Sequence, residues 1–173
     1  DLKNWTEFLK NKSGLEDIYA YLKIGFLSTF SYLVKEQIDK ESIEQAFPES
    51  PLIRFKLALL PKGNPLNLEK LTQDDPQFYE AFFFLGQKAF DRRMLVTAEK
   101  NFLKAYEQIP ESSSLVISLA SIYFAFEEQE KSLEFYEETL TLAPAHRDAL
   151  LGKAMCLSYL GRHEEAIDVC NTI

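Results

Sequence analysis

The chain has 173 residues, 46% of them hydrophobic and 27% charged, the composition of one globular domain or one short repeat array and not of a disordered segment. With 19 Lys and Arg against 27 Asp and Glu the net charge is -8, and no basic run is present to neutralise a row of phosphates, so nucleic acid is not an expected partner. The 6 Gly and 7 Pro are few beside 14 Phe and 8 Tyr, a balance that favours helices over strands.

In chain order, Trp5, Phe8 and Leu9 suit a first short helix, and residues 15–35 read as one amphipathic helix. Within that helix the uncharged run 24–34 contains three Ser/Thr residues and is too short to cross a bilayer, which takes about 20 residues. The triplets Asn4-Trp5-Thr6 and Asn11-Lys12-Ser13 have the form of glycosylation acceptors and are read as chance occurrences. Ile38, Ile43, Ala46 and Phe47 keep helical spacing, Pro48 and Pro51 mark a break, and the apolar run 52–60 is expected to be helical. Pro61-Lys62-Gly63-Asn64-Pro65 is a turn, and Leu66, Leu68 and Leu71 leave room for a short helix before Asp74-Asp75-Pro76. Two readings of residues 1–78 stay open: degenerate repeats, or a separate helical cap on the end of a stack.

From residue 79 onward the sequence repeats every 34 residues. A small residue recurs as Gly86, Ala120 and Ala154, preceded by Phe82, Val116 and Leu150 and followed by Ala89, Tyr123 and Leu157. A second small slot holds Ala98, Ser132 and Ala166, with Phe102, Tyr136 and Cys170 four residues on, and Pro110 and Pro144 close the first two units. The expected units are 79–112, 113–146 and 147–173, each a helix hairpin whose small residues allow close approach of its two helices. Gly161 suits the left-handed position after a helix, and the prolines are expected to end the second helices. Lys153 stands where the other units have Leu85 and Leu119, so its stem is expected along apolar surface with its ammonium in water.

Phe82-x2-Leu85-Gly86, then Ala98-x3-Phe102-x2-Ala105, then Pro110 resembles the tetratricopeptide repeat, and Leu160-Gly161-Arg162-His163-Glu164-Glu165-Ala166-Ile167 resembles the turn between that repeat's helices. Tyr21-x2-Ile24-Gly25 resembles the opening of a further unit. The resemblance implies an all-α fold, a right-handed superhelical stack of antiparallel helix hairpins (an α-solenoid). Cys170-Asn171-Thr172-Ile173 falls inside a second helix before the repeat is complete. The expectation is therefore a fragment of a longer protein, with self-association through the exposed end repeats as the other way to cover the last apolar face. The chain begins at Asp1 without methionine or a signal peptide, which leaves removal of a leader, by the cell or by cloning, open, and the compartment with it, the cytoplasm slightly favoured over the periplasm or secretion.

Catalytic material is sparse. His146 and His163 form no metal-ligand pair by local spacing, and no phosphate-cradling glycine loop is present. Cys156 and Cys170 are expected as reduced, buried thiols, and with His163 they are read as packing in preference to a zinc or thiol site. No cofactor and no metal are expected. The 6 Glu between residues 127 and 138, against Lys131 alone, are expected on a solvated outer face.

What the family resemblance does imply is a concave surface, lined by the first helix of each unit, that receives peptides. It places Phe83, Gln87 and Phe90, with Asp91, on that surface from the first unit, Ile117, Ser121 and Phe124, with Ala125, from the second, and Leu151, Met155, Ser158 and Tyr159 from the third. The family's basic clamp for a terminal carboxylate is contraindicated, because Phe83, Gln87, Ser118, Asp148 and Gly152 occupy the corresponding positions. The function expected is a non-enzymatic scaffold holding a peptide or helix of a partner protein in an apolar, aromatic groove. The alternative is a docking or regulatory domain of a longer enzyme.

Overall fold

A computed structural model of the chain describes residues 50–59 and 66–173. The expectations for the first short helix, the helix over 15–35, the glycosylation triplets, the helical spacing at 38–47 and the turn at 61–65 lie outside the described residues. Among the described residues there are eight helices and no strand, and the chain divides into two compact units, Asp1–Ala81 and Phe82–Ile173.

In the first unit, α1 (Pro51–Leu59) and α2 (Leu66–Asp74) pack against each other. Pro51 occupies the first helical position, where a missing N–H costs nothing, and the Ser50 hydroxyl accepts the Ile53 N–H at 3.4 Å. Ile53, Leu57, Leu68 and Leu71 are buried, Phe55 meets Phe78 edge-on at 5.4 Å, and Arg54 pairs with Asp74 at 2.7 Å. The short helix ends where Asp75 Oδ1 accepts the Gln77 N–H at 3.1 Å and turns the chain.

Six helices follow as three hairpins: α3 (Tyr79–Asp91) with α4 (Leu95–Tyr106), α5 (Ser113–Ala125) with α6 (Gln129–Leu142), and α7 (Arg147–Tyr159) with α8 (His163–Cys170). First helices begin at Tyr79, Ser113 and Arg147 and second helices at Leu95, Gln129 and His163, so the interval of 34 residues is kept by both. The small slots set how closely the helices approach. In the first hairpin the Phe102 ring covers Gly86, where a Cβ would lie 2.6 Å from two ring carbons. Between hairpins the Tyr136 ring lies over Gly152, and a Cβ there would lie 2.2–2.6 Å from three ring carbons. Ser132 takes the second small slot of its unit by donating its hydroxyl to the Ala120 carbonyl at 2.8 Å and accepting the Cys156 thiol at 3.3 Å, which satisfies a buried polar group.

Each hairpin turn has the same form. Arg93, Glu127 and Gly161 have φ of 61°, 63° and 76°, one left-handed residue per unit. The next residue's N–H reaches back to the first helix, Met94 to the Ala89 carbonyl, Glu128 to Tyr123 and Arg162 to Leu157. Gly161 is left-handed as expected, while Arg93 and Glu127 adopt the same conformation against the preference of a side chain with a Cβ.

Four expectations are corrected. Cys156 is buried but Cys170 is exposed, since α8 has no further helix over that face among the described residues. The Lys153 ammonium reaches Glu137 at 2.8 Å instead of water alone. The glutamate run is not uniformly solvated, because Glu138 accepts the Tyr106 hydroxyl at 2.7 Å and Glu137 holds Lys153. Finally, α6 ends just before Pro144, but α4 ends at Tyr106, four residues before Pro110, through a turn at Glu107 and Gln108.

Candidate functional site

The first helices of successive hairpins run side by side, and a groove of about 460 Å³ opens between them. One wall is α3, with Gln87, Phe90 and Asp91; the other is α5, with Ile117, Ser118 and Ser121; Asp148 of α7 closes one end and the edge of Phe102 contributes to the lining. The helical period places these residues together, because positions three and four apart share one face. The groove gathers Gln87, Phe90, Asp91, Ile117 and Ser121 of the expected set.

Electrostatically the groove is acidic and rich in acceptors. Asp91 and Asp148 both border it, and no Lys or Arg does. Ser118 donates its hydroxyl to the Ser114 carbonyl at 2.7 Å, and Ser121 donates to Ile117 at 2.9 Å. With its proton committed along the helix, the Ser118 oxygen presents lone pairs, while Ser121 also interacts with the buried Tyr136 hydroxyl. Tyr136 packs behind this wall, and burial pushes its phenol above the ordinary value.

The other expected residues divide. Phe83 packs on Phe102 with ring centroids 5.8 Å apart and serves the hairpin core. Phe124 is half-buried and meets Tyr159 edge-on at 5.6 Å. Tyr159 is itself 70% exposed. Leu151, Met155 and Ser158 lie elsewhere: with Ile167 and Cys170 of α8 they line a second, apolar depression of about 480 Å³ on the last hairpin. Gln87, Phe90, Asp91, Ile117 and Ser121 thus line the groove, and Leu151, Met155 and Ser158 line the depression.

Sequence reasoning placed Ser118 and Asp148 among the positions of a clamp it rejected, and so passed over them as groove residues. Their signal was present: both fall on inner faces of first helices. Phe102 and the α8 residues Ile167 and Cys170 belong to second helices, which the resemblance assigns to packing.

No group of three or more His, Cys, Asp or Glu is placed to hold a metal among the described residues. Cys156 is not a poised nucleophile, since burial raises its thiol above the ordinary value. His146 precedes α7 with its Nδ1 buried and without a hydrogen-bond partner among the described residues. No described helix is long and apolar enough to cross a membrane.

No family model matches the chain. Over 37 residues, 21% of its length, it is 49% identical to an uncharacterized protein of Methanocaldococcus jannaschii, and the match spans 43% of that protein, less than half of it. Among solved structures it is similar to MamA, at 21% identity and a TM-score of 0.72 over 90% of this chain and 89% of that one. It is also similar to YrrB, described as a TPR protein with an unusual peptide-binding site, at 19% identity and a TM-score of 0.67 over 76% of this chain and 71% of that one.

Proposed function

The chain has the fold of a tetratricopeptide-repeat protein, an α-solenoid, and we propose that it works as a non-enzymatic scaffold whose α3–α5 groove receives a segment of a partner protein. One observation carries this reading: Phe90 and Ile117 stand half-buried in the groove beside Gln87 and Ser118, so apolar surface and hydrogen-bonding groups converge on one concavity. The peptide-binding description of YrrB supports the same use of the fold. Aromatic anchors of this kind dominate interface energetics, and truncating a central one costs about 2 kcal/mol or more, near thirtyfold in affinity.

Affinity capture from the source organism's lysate, run in parallel with the wild-type chain, Phe90→Ser and Ile117→Ser, and Glu134→Ala, tests the reading. Glu134 is exposed on α6, away from the groove. A partner retained by the wild type and Glu134→Ala but lost from the groove variants, with helicity unchanged, is the expected result. A partner lost from Glu134→Ala and retained by the groove variants would place recognition on the outer glutamate face and refute the groove.

A further inference from the structure

The turn between α3 and α4 departs from its copies. Because the three hairpins keep one interval, slots 34 residues apart meet the same packing demand, and what differs between them is not required by the fold. Met94 and Val96 are 51% and 72% exposed, while Glu128 and Glu130 hold these slots in the second hairpin and Arg162 and Glu164 in the third. The charge is inverted as well: Arg93 stands where the copies have Glu127 and Gly161, and Lys100, one turn on from Val96, where they have Glu134 and Asp168. Arg92, Arg93 and Lys100 are exposed and make no ion pair with a described residue. Of the two acids beside them in sequence, Asp91 borders the groove and Glu99 is engaged with Tyr123. In a chain of net charge -8, the first hairpin thus ends in a basic tip with two apolar side chains turned to solvent.

The last hairpin carries the complement. Leu151, Met155 and Ile167, each more than two-fifths exposed, line the depression of about 480 Å³. Beside Ile167 on α8 stand Glu164 and Asp168, exposed and without an ion pair to a described residue, whereas Glu165 is held by Arg162 at 2.7 Å. No Lys or Arg lies in α8. Tip and depression belong to the first and last hairpins of one compact unit, with α5 and α6 between them, so a chain cannot close one on the other within itself.

We propose that they are the two halves of one contact between copies of this chain: Met94 and Val96 of one copy enter the depression on α7 and α8 of the next, and Arg92, Arg93 and Lys100 lie against Glu164 and Asp168. Apolar burial and opposite charge are then both matched by surfaces that the hairpin packing leaves open. The joined patches differ, so the contact is heterologous: each copy keeps a free tip at one end and a free depression at the other, and copies add head to tail. No part of this contact uses the α3–α5 groove.

Sedimentation velocity tests it from about 10 µM to about 1 mM, the window in which a contact of this small size is populated. The proteins are the wild-type chain, a tip variant (Met94→Ser with Val96→Ser) and a depression variant (Met155→Ser with Ile167→Ser). All four side chains are about half exposed or more, so the variants keep the fold, checked by circular dichroism. The expected wild-type result is a series of species that lengthens with concentration and shortens at raised salt, where opposite charges are screened. Each variant alone stays monomeric. An equimolar mixture of the two gives a 1:1 pair and nothing longer, because one variant keeps its depression and the other its tip. A wild-type chain that is monomeric throughout overturns the proposal. So does association that persists in either variant, or a mixture that yields no pair although the wild type associates. A monomeric chain that instead sediments with vesicles of phosphatidylcholine and phosphatidylserine, and loses this in the tip variant, assigns the tip to an anionic membrane and overturns the contact as well.

Discussion

The contact between Tyr136 of α6 and Gly152 of α7 joins two hairpins, and substituting Gly152→Ala measures it. In an open helix interior this change is favourable by about 1 kcal/mol, because alanine loses less backbone freedom than glycine. Here a Cβ would lie 2.6 Å from Cε2 of the ring and closer still to Cζ and Cε1. The ring cannot step aside, since it is buried in a cluster with Ala120, Leu133, Ala149, Cys156 and Leu157. Overpacking costs about 1–3 kcal/mol, and an overlap with the body of a ring belongs at the upper end of that range. The net expectation is a loss of about 1–2 kcal/mol, or about 2–8 °C in melting temperature for a chain of this size. Replacing Tyr136 by Leu removes the obstacle. In that background Gly152→Ala should stabilise by about 0.5–1 kcal/mol, the propensity gain alone. Urea denaturation followed by far-UV circular dichroism on the four members of the cycle reads both signs. An alanine that stabilises the wild type, or one that has the same effect in both backgrounds, would refute the ring-on-glycine contact.

Three further outcomes are expected. Arg93→Gly and Glu127→Gly should each stabilise by about 0.5–1 kcal/mol, the left-handed penalty of a Cβ less the added entropy cost of glycine, and Gly161→Ala should destabilise by about 1 kcal/mol; denaturation midpoints that move the opposite way would show that the turns relax. Titration with a thiol reagent at neutral pH should label Cys170 rapidly and Cys156 only after denaturant is added, and labelling of both thiols in the native chain would contradict the burial of Cys156. Stability should fall on the alkaline side: burial raises Cys156 and Tyr136 above their ordinary 9.0 and 10.0, so the folded state holds these protons where the unfolded state releases them. Their contribution is complete below about pH 9 and is lost as pH rises through the raised values, and a melting temperature that does not decline above pH 9 would contradict it.

The hairpins of 79–173 were legible in the sequence because a repeat imposes the same packing demand at each copy. Gly86, Ala120 and Ala154 must be small for the same reason, and the eye finds them at one interval. The turn conformation was legible at Gly161 and hidden at Arg93 and Glu127, since a left-handed residue announces itself only when it is glycine. The groove was legible in part. The family resemblance, which assigns the concave surface to the first helices, implied Gln87, Phe90, Asp91, Ile117 and Ser121 there. Leu151, Met155 and Ser158 were assigned to the same surface, and they line a depression together with Ile167 and Cys170 of the second helix α8, whose part in the lining the repeat pattern does not announce. Asp91 was placed on the concave surface beside Phe90, whereas Asp148, which takes the slot of Glu80 in the first unit, was read only as a position of the carboxylate clamp. Lys153 was readable as a charged residue in an apolar slot, but its partner Glu137 sits on the preceding hairpin and is visible only once the hairpins stack.

The central claim is that recognition takes place in the α3–α5 groove. Chemical-shift mapping tests it most directly, with the isotopically labelled chain titrated with the captured partner segment and followed at backbone amides. The account predicts the largest shifts at Gln87, Phe90, Ile117, Ser118 and Ser121, with smaller ones at Asp148. Shifts confined to Met155, Ile167 and Cys170 on the last hairpin, or to Glu130 and Glu134 on α6, with the groove amides unmoved, would contradict it.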